Sequence, residues 1–547
     1  MNRPIYYSLL LLILPTFSLL FRPGLHTTHD FHFFRQFEFD RCIADGIFPC
    51  RWSANAGMGY GEPVYNYYGQ FPYWLGQVFR FVNFSVIDSV KSVFIVSLLL
   101  SAVFMYLLAR RFWGNLGGLI SAAFYVYAPY RAVDVWVRGA LPESLAFVFY
   151  PVILWVLDLY LETPRPKYLW ALALAGSALI LTHNLSALMF VPFALVWYFW
   201  RAGSLRRLTS APGLLLAFIA SLLLAAFYLF PVIFESRLVT LSETTKVYYE
   251  YGLHFASLSQ LFLSRFWGYG GSVWGPNDTM SFSVGHLHWL APLLTLTWLF
   301  LRRQFRSPIT VYCLLFTFLG FFAIFLTHGK SDFLWRLLPP MLYIQFPWRF
   351  LTMSTLWLSL ASGVVSKILP NKIIPYLLLL LLFTNSGFFR PDIWRSITDS
   401  QQFSGQLWDE QRSSSLSDYW PKYASRLPAE FAPSLPDVVS GNVAIFGFQK
   451  LSQSAEATLA VDSESAEIRF PIAYFPGWQG KVSGKTLAVY PSGELGLVTL
   501  KLPAGIHDIR LSFADTPVRR MGNLISLAAL ILLPVSYSIK IKNHASA

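Results

Sequence analysis

The chain has 547 residues, 55% hydrophobic, 18% aromatic and 13% charged, with a mean hydropathy of +0.48 and a formal net charge of +13. No soluble globular class has that balance, so the composition specifies a polytopic membrane protein. Its lysines and arginines gather at the flanks of apolar runs, which accounts for the charge and gives no reason to expect a nucleic-acid partner.

Apolar runs long enough to cross about 30 Å of hydrocarbon as helices fall near 4–21, 86–108, 115–130, 142–161, 168–183, 185–200, 212–234, 286–301, 308–327, 348–368, 373–389 and 521–539, which makes about twelve spans. No small-residue cleavage site follows the first run, so it is expected to be retained as a span. Every second connection is basic: Arg3; Arg110 and Arg111; Arg165 and Lys167; Arg201, Arg206 and Arg207; Arg302, Arg303 and Arg306; Lys367 and Lys372; Lys540 and Lys542. Cytoplasmic flanks are enriched in these residues, so both termini are expected inside and the intervening loops outside. Four regions are expected: a transmembrane domain 1–389 with large outer loops 22–85 and 235–285, a linker 390–440, an extracytoplasmic β-rich domain 441–518, and a last span with its tail 519–547.

The first outer loop begins with Thr28-His29-Asp30-Phe31-His32-Phe33-Phe34-Arg35-Gln36. As a helix it puts Asp30, Phe33, Phe34 and Phe37 on one side and His29, His32 and Gln36 on another, which suits a helix lying along the membrane surface. Asp30 is then placed to act as a general base, and Arg35 to hold a lipid-linked phosphate through paired hydrogen bonds. The competing reading is that these polar residues only solvate an interfacial helix. His26, His29 and His32 also invite a zinc reading, but their spacing is poor for one helix face and no thiolate adjoins them. A magnesium or manganese ion bridging Asp30 or Glu38 to a phosphate is the alternative left open. Cys42 and Cys50 share this loop and can pair in an oxidising compartment, while Cys313 sits in a span.

Further on, GIFPCRWSANAGMGYGEPVYNYYGQFPYW combines turn-forming glycines with aromatics such as Trp52 and Tyr60. Such faces hold sugar rings, and they also build ordinary interfacial belts. A belt does not account for Arg51, Asn55, Glu62 and Asn66 in the same stretch. The second outer loop, APYRAVDVWVRGALPES, carries Arg131, Asp134, Arg138 and Glu143. Asp134 and Arg138 are spaced for a helix pair, and Glu143 follows Pro142 in a favourable first-turn position. His183 and Asn184 between two spans, and Arg349 at the head of another, are costly in lipid unless they face a cavity.

Residues 390–518 lose the long apolar runs. The part up to about residue 436 is rich in Ser, Gln and Pro. From Val443 onward, ATLAV, AEIRF, GKVSGKTLAVYP, LVTLKLP and HDIRLSF alternate between turn signals, as in a small β-sandwich or jelly roll. No repeat of fixed period is present.

The motifs PGLHTTHDFHFFRQFEF, IFPCRWSANAGMGYGEPVYNYYGQFPYWL, APYRAVDVWVRGALPES, LTHN, FWGYGGS, YIQFPWRF and FPGWQGKVSGK resemble a group of prokaryotic membrane proteins labelled 6-pyruvoyl-tetrahydropterin-synthase-related. The soluble synthase itself is a compact α/β enzyme with a three-histidine zinc site, and nothing here is like it. More distantly, the architecture is similar to the C-type superfamily of integral-membrane glycosyltransferases. That resemblance implies a sugar taken from a polyprenyl-phosphate carrier on the outer face and passed to an acceptor of the cell envelope. By position Asp30 matches the first-loop carboxylate, and Glu143 or Asp134 matches a second acid. Arg35, Arg138 and Arg349 become candidates for the lipid phosphate, with His29, His32, Arg51, Trp52, Tyr60, Glu62, Asp134, His183 and Asn184 as substrate contacts. The paired Asp-x-Asp of some families is missing, and no cofactor is firmly implied. A flippase for lipid-linked glycans and a non-catalytic envelope scaffold are the rival classes.

Overall fold

The computed structural model describes residues 3–29, 31–275, 277–414 and 419–545. It is a helical bundle joined to a β-domain. The helices that matter below are α1 (Arg3–Ile13), α2 (His32–Ala44), α3 (Phe71–Phe81), α4 (Val86–Tyr127), α5 (Leu141–Glu162), α6 (Pro166–Thr182), α7 (Asn184–Ser204), α8 (Ala211–Leu224), α9 (Ala226–Phe234), α10 (His286–Leu301), α11 (Pro308–Leu326), α12 (Leu351–Ser362), α13 (Ile374–Asn385), α14 (Gly405–Ser413) and α15 (Pro517–Ala545). Among the described residues, five helical segments are long and apolar enough to cross a membrane, or six if the pair α8 and α9, bent by 74°, is one span. The total of about twelve expected from sequence counts runs that fold as shorter helices, such as α1, α6 and α10.

Local sequence explains where these helices start. Ser85 and Ser307 cap α4 and α11 by accepting the backbone N–H groups of Asp88 and Thr310. Pro142 and Glu143 open α5. Helix α4 breaks at Gly114, whose φ of +75° favours glycine. Tyr106 bonds Asn115 at 3.0 Å and packs on Gly118, so the chain folds back there as a helical hairpin, with Arg110 and Arg111 at the bend.

The β-domain is one seven-stranded antiparallel sheet. Its path is β3 (Asp437–Ser440), β5 (Ser454–Ala473), β9 (Leu497–Phe513), β6 (Trp478–Val482) and β7 (Lys485–Leu487), with β4 (Val443–Lys450) on β5 and β8 (Tyr490–Ser492) on β9. A two-stranded ladder joins β1 (Leu25–His26) to β2 (Trp394–Arg395). The buried side of β5 switches from Ala455, Ala457, Leu459 and Val461 to Ala466, Ile468, Phe470 and Ile472 across an irregularity between Val461 and Ser465. Without that shift the period of two would turn half the apolar residues outward.

The sheet shares its core with the first loop. Trp52 packs against Trp478 and Phe513, with centroids 5.4 and 4.9 Å apart, and Tyr60 joins the same cluster. A hairpin between β4 and β5 docks on the bridge formed by Cys42 and Cys50: Gln453 Nε2 approaches both sulfurs, and Ser452 N donates to Asp45 at 2.9 Å. Arg51 donates to Asp515 at 3.0 Å and to Asn523 at 2.7 Å, while Arg519 donates to Glu235 at 2.7 Å. The bundle, the first loop and the β-domain are thus tied by one buried network.

Candidate functional site

The site is built around the second loop. Residues Val133–Arg138 wind as a π-helical turn and stop at Gly139, where φ is +65° and Thr28 fills the space a Cβ would need. The wider turn brings Asp134 and Arg138 nearly into line. One terminal nitrogen of Arg138 lies 2.7 Å from Asp134 Oδ1, 2.8 Å from Glu143 Oε2 and 3.2 Å from the Tyr130 hydroxyl. Tyr130 donates to the other oxygen of Glu143 at 2.7 Å, and Arg349 Nε stands 3.8 Å from Glu143. The Arg138 guanidinium covers the face of Trp348 at 4.8 Å. Arg349 is held by the Ile344 carbonyl and Gln345 Oε1.

Burial, with the Glu143 carboxylate beside it, holds the Asp134 carboxyl well above its ordinary range against the pull of Arg138. Asp134 Oδ2 has no hydrogen-bond partner among the described residues. His26 supports this turn from below: its Nε2–H donates to the Val135 carbonyl at 2.8 Å, and burial pushes its imidazole down to about 4.

Arg138, Glu143 and Arg349 face a cavity of about 780 Å³. Arg35, which covers the Tyr68 ring at 4.2 Å, lines the same space, as do His29, His183 and Asn184. His29 is held by the Tyr269 carbonyl at 2.7 Å and His183 by the Ser186 hydroxyl at 2.7 Å. Tyr67, Tyr248, Tyr249, Tyr343 and Tyr419 supply aromatic walls, while Leu185, Leu188, Val232 and Ile233 make an apolar flank. The cavity therefore offers guanidinium groups for an anion, phenols and amides for a polar ring, and a greasy side.

Not every candidate gathers here. Asp30 lies outside the described residues. Helix α2 does not lie on the surface: Phe33, Phe34, Arg35, Gln36 and Glu38 are all buried, because Phe33 packs into the bundle, Phe34 into the core shared with the β-domain, Gln36 against α3 and Glu38 against Ser53 and Asn55. His32 lies behind the cavity, next to the Tyr73 hydroxyl at 2.9 Å and accepting from the Leu141 amide at 3.3 Å. Trp52, Tyr60 and Glu62 belong to the junction with the β-domain rather than to the cavity wall, since their aromatic and carboxylate groups are buried against Trp478, Trp420 and Gly57. Arg51 is spent on Asp515, Asn66, Asn523 and the Phe227 carbonyl, and burial pulls it down to about 10 with Asp515 opposing. Asp134 stands behind Arg138 and does not line the cavity. Among the described residues no three His, Cys, Asp or Glu side chains are grouped to hold a metal ion, and Glu143 is already engaged by Tyr130 and Arg138.

Residues that sequence reasoning passed over include Tyr67, Tyr419, Tyr248 and Ser272. Tyr67 stacks on Tyr419 at 5.9 Å, and its hydroxyl donates to the Glu235 carbonyl. Ser272 is next to His254 at 2.8 Å, in the 235–285 segment that closes one side of the cavity. Only the aromatic richness of residues 235–285 signals that contribution.

No family model matches the chain. A protein of Lactococcus lactis subsp. cremoris (strain MG1363), described as uncharacterized, is 23% identical over 236 residues, which are 41% of this chain and 38% of that protein. The apo crystal structure of the Archaeoglobus fulgidus oligosaccharyltransferase aligns with a TM-score of 0.40 and 13% identity, over 77% of this chain and 56% of that one. The chain thus spans less than two thirds of either, and the structural likeness is too low to carry an argument about fold or activity.

Proposed function

We propose that the protein is an integral-membrane transferase that takes a sugar from a polyprenyl-phosphate carrier and passes it to an acceptor at the cavity end of the bundle. One observation carries this reading: Arg35, Arg138 and Arg349 converge on a tyrosine-lined cavity with an apolar flank, in a bundle of membrane-length helices. A phosphate leaving group needs fixed positive charge where its own charge develops, and an isoprenoid tail needs an apolar exit.

In this mechanism Arg138 and Arg349 neutralise the departing lipid phosphate. Glu143, tied by Tyr130, holds Arg138 in its place rather than taking a proton itself. Asp30, whose neighbour His29 lines the cavity, is the proposed base for the acceptor hydroxyl or amine. The tyrosine walls orient the ring, and much of the rate comes from confining two membrane-borne reactants. Multi-pass membrane localisation, cytoplasmic termini and an extracytoplasmic β-domain belong to the same proposal.

The 74° break between α8 and α9 favours a second reading, a flippase for lipid-linked glycans, because bent spans are common in transporters. Purified protein incubated with radiolabelled polyprenyl-phosphate sugars and envelope acceptors separates the two. Transfer that is lost in Asp30→Asn at unchanged thermal stability supports the transferase. Translocation of a labelled glycolipid in proteoliposomes, with no transfer, replaces it with the flippase.

A further inference from the structure

Helix α3 has its polarity reversed for a helix on the surface of a protein in water. Residues 73, 76, 77 and 80 form the stripe that faces the protein, and it is polar in its contacts. Gln77 Nε2 donates to Asp40 at 2.9 Å, Arg80 pairs with the same carboxylate at 2.9 Å, and Gln36 reaches the Tyr73 carbonyl at 3.3 Å. Residues 74, 78, 81 and 82 form the opposite stripe, and it is apolar. Val78 is 56% exposed, Phe81 67% and Val82 63%. Phe48, 77% exposed, extends this face by packing against Trp74 at 5.2 Å.

A soluble helix buries its apolar stripe and hydrates its polar one. Exposing three large apolar residues on one helix face to water, with a fourth from a neighbouring loop, is a patch that soluble monomers avoid. Helix α3 also packs directly on the membrane-length helices α4 and α5, for example through Phe71 against Phe149 at 5.8 Å. Its apolar face therefore continues the lipid-facing surface of the bundle. With 11 residues it is about 16 Å long, too short to span.

We infer that α3 is a monotopic helix inserted into one leaflet, with Phe48, Val78, Phe81 and Val82 among the acyl chains of membrane lipid. The leaflet is the one at the cavity end. Gly69, two residues before α3, lines the cavity and abuts the Leu181 and Thr182 carbonyls so closely that a Cβ would come within 2.4 Å of the latter. The helix thereby sets the cavity at the depth of the lipid headgroups. This assignment stands whether or not the transferase reading does.

The test uses the full chain in phospholipid nanodiscs, with Cys313→Ser removing the one free cysteine among the described residues. Nitroxide labels are placed in turn at Val78→Cys and Val82→Cys. Leu174→Cys on α6 serves as the lipid-exposed reference and Ile506→Cys on β9 as the aqueous one. Collision with molecular oxygen is compared with collision with a water-soluble nickel chelate. The inference predicts an oxygen-to-nickel ratio at 78 and 82 close to that at 174 and severalfold above that at 506. A ratio equal to that at 506 would put α3 in water, and shielding from both reagents would mean that protein covers this face; either result overturns the inference.

Discussion

Helix α5 carries an ion cluster at each end, and the two are built from the same parts. Near its start, Asp134, Glu143, Arg138, Arg349 and Tyr130 meet, and Arg138, Glu143 and Arg349 of that set line the cavity. Near its other end, Asp158, Glu162, Arg111, Arg201 and Tyr312 meet between the helices. In the second cluster each oxygen of Asp158 has its own arginine, and Arg201 also reaches Glu162 at 3.1 Å and Tyr312 at 2.7 Å. In the second cluster every charged group has an opposite partner, and none of its residues lines the cavity of the first. In the first, one carboxylate oxygen of Asp134 has no hydrogen-bond partner among the described residues, and Arg138 and Arg349 line the cavity. Identical residue types therefore serve as a staple where they pair between packed helices and as a candidate anion site where they also line a cavity.

The largest effect expected is at the Asp158 end. Asp158→Ala removes the buried carboxylate that Arg111 and Arg201 share, leaves Glu162 alone to oppose two guanidinium groups, and should cost about 3 kcal/mol of stability, read as a drop in thermal unfolding temperature in detergent. If Asp158→Ala is instead neutral in stability and lowers turnover, the contrast between the clusters fails.

At the cavity end, His26 supports the turn that carries Asp134 and Arg138. Its pKa near 4 in the fold lies below the ordinary 6.5, so the unfolded chain binds more protons between those values. Its contribution to stability is present above pH 6.5 and is lost as pH falls toward 4, by up to about 3 kcal/mol. Comparing unfolding temperatures of wild type and His26→Phe at pH 7 and pH 4.5 checks this: the variant should lose that part of the acid sensitivity.

Arg138→Lys keeps the charge but loses the planar guanidinium that covers Trp348 while one of its nitrogens meets both carboxylates. Transfer should fall about 100-fold, in line with the loss of one fixed donor at a developing anion, while unfolding temperature stays close to wild type. The smallest effect sharpens the comparison from outside both clusters. Arg426 and Glu494 form an exposed pair, 53% and 69% accessible, and Arg426→Ala should change stability by less than about 1 kcal/mol.

Part of the lining of this cavity was legible because membrane sequences make polar residues conspicuous. His29, Arg35, Arg138, Glu143, His183, Asn184 and Arg349 stood out against apolar surroundings, and they line one cavity. The hairpin at Gly114 was legible from Arg110 and Arg111 between two apolar runs. The role of Trp52, Tyr60 and Glu62 was not, because a sugar platform, an interfacial belt and a domain junction have the same composition. Only the pairing of Trp52 with Phe513, far along the chain, separates them. Asp158 was hidden inside an apolar run, and its two partners, Arg111 and Arg201, come from two different helices. The reversed polarity of α3 was equally hidden, since its helical period is visible in sequence but the direction of the core is not.

The most direct test of the central claim is sugar transfer from a polyprenyl-phosphate donor by purified Arg138→Lys and Arg111→Lys, each compared with wild type at matched stability. The account predicts that Arg138→Lys loses about 100-fold in kcat/KM while the folded fraction of Arg111→Lys transfers at the wild-type rate. Equal loss in both, or normal transfer by Arg138→Lys, would contradict it.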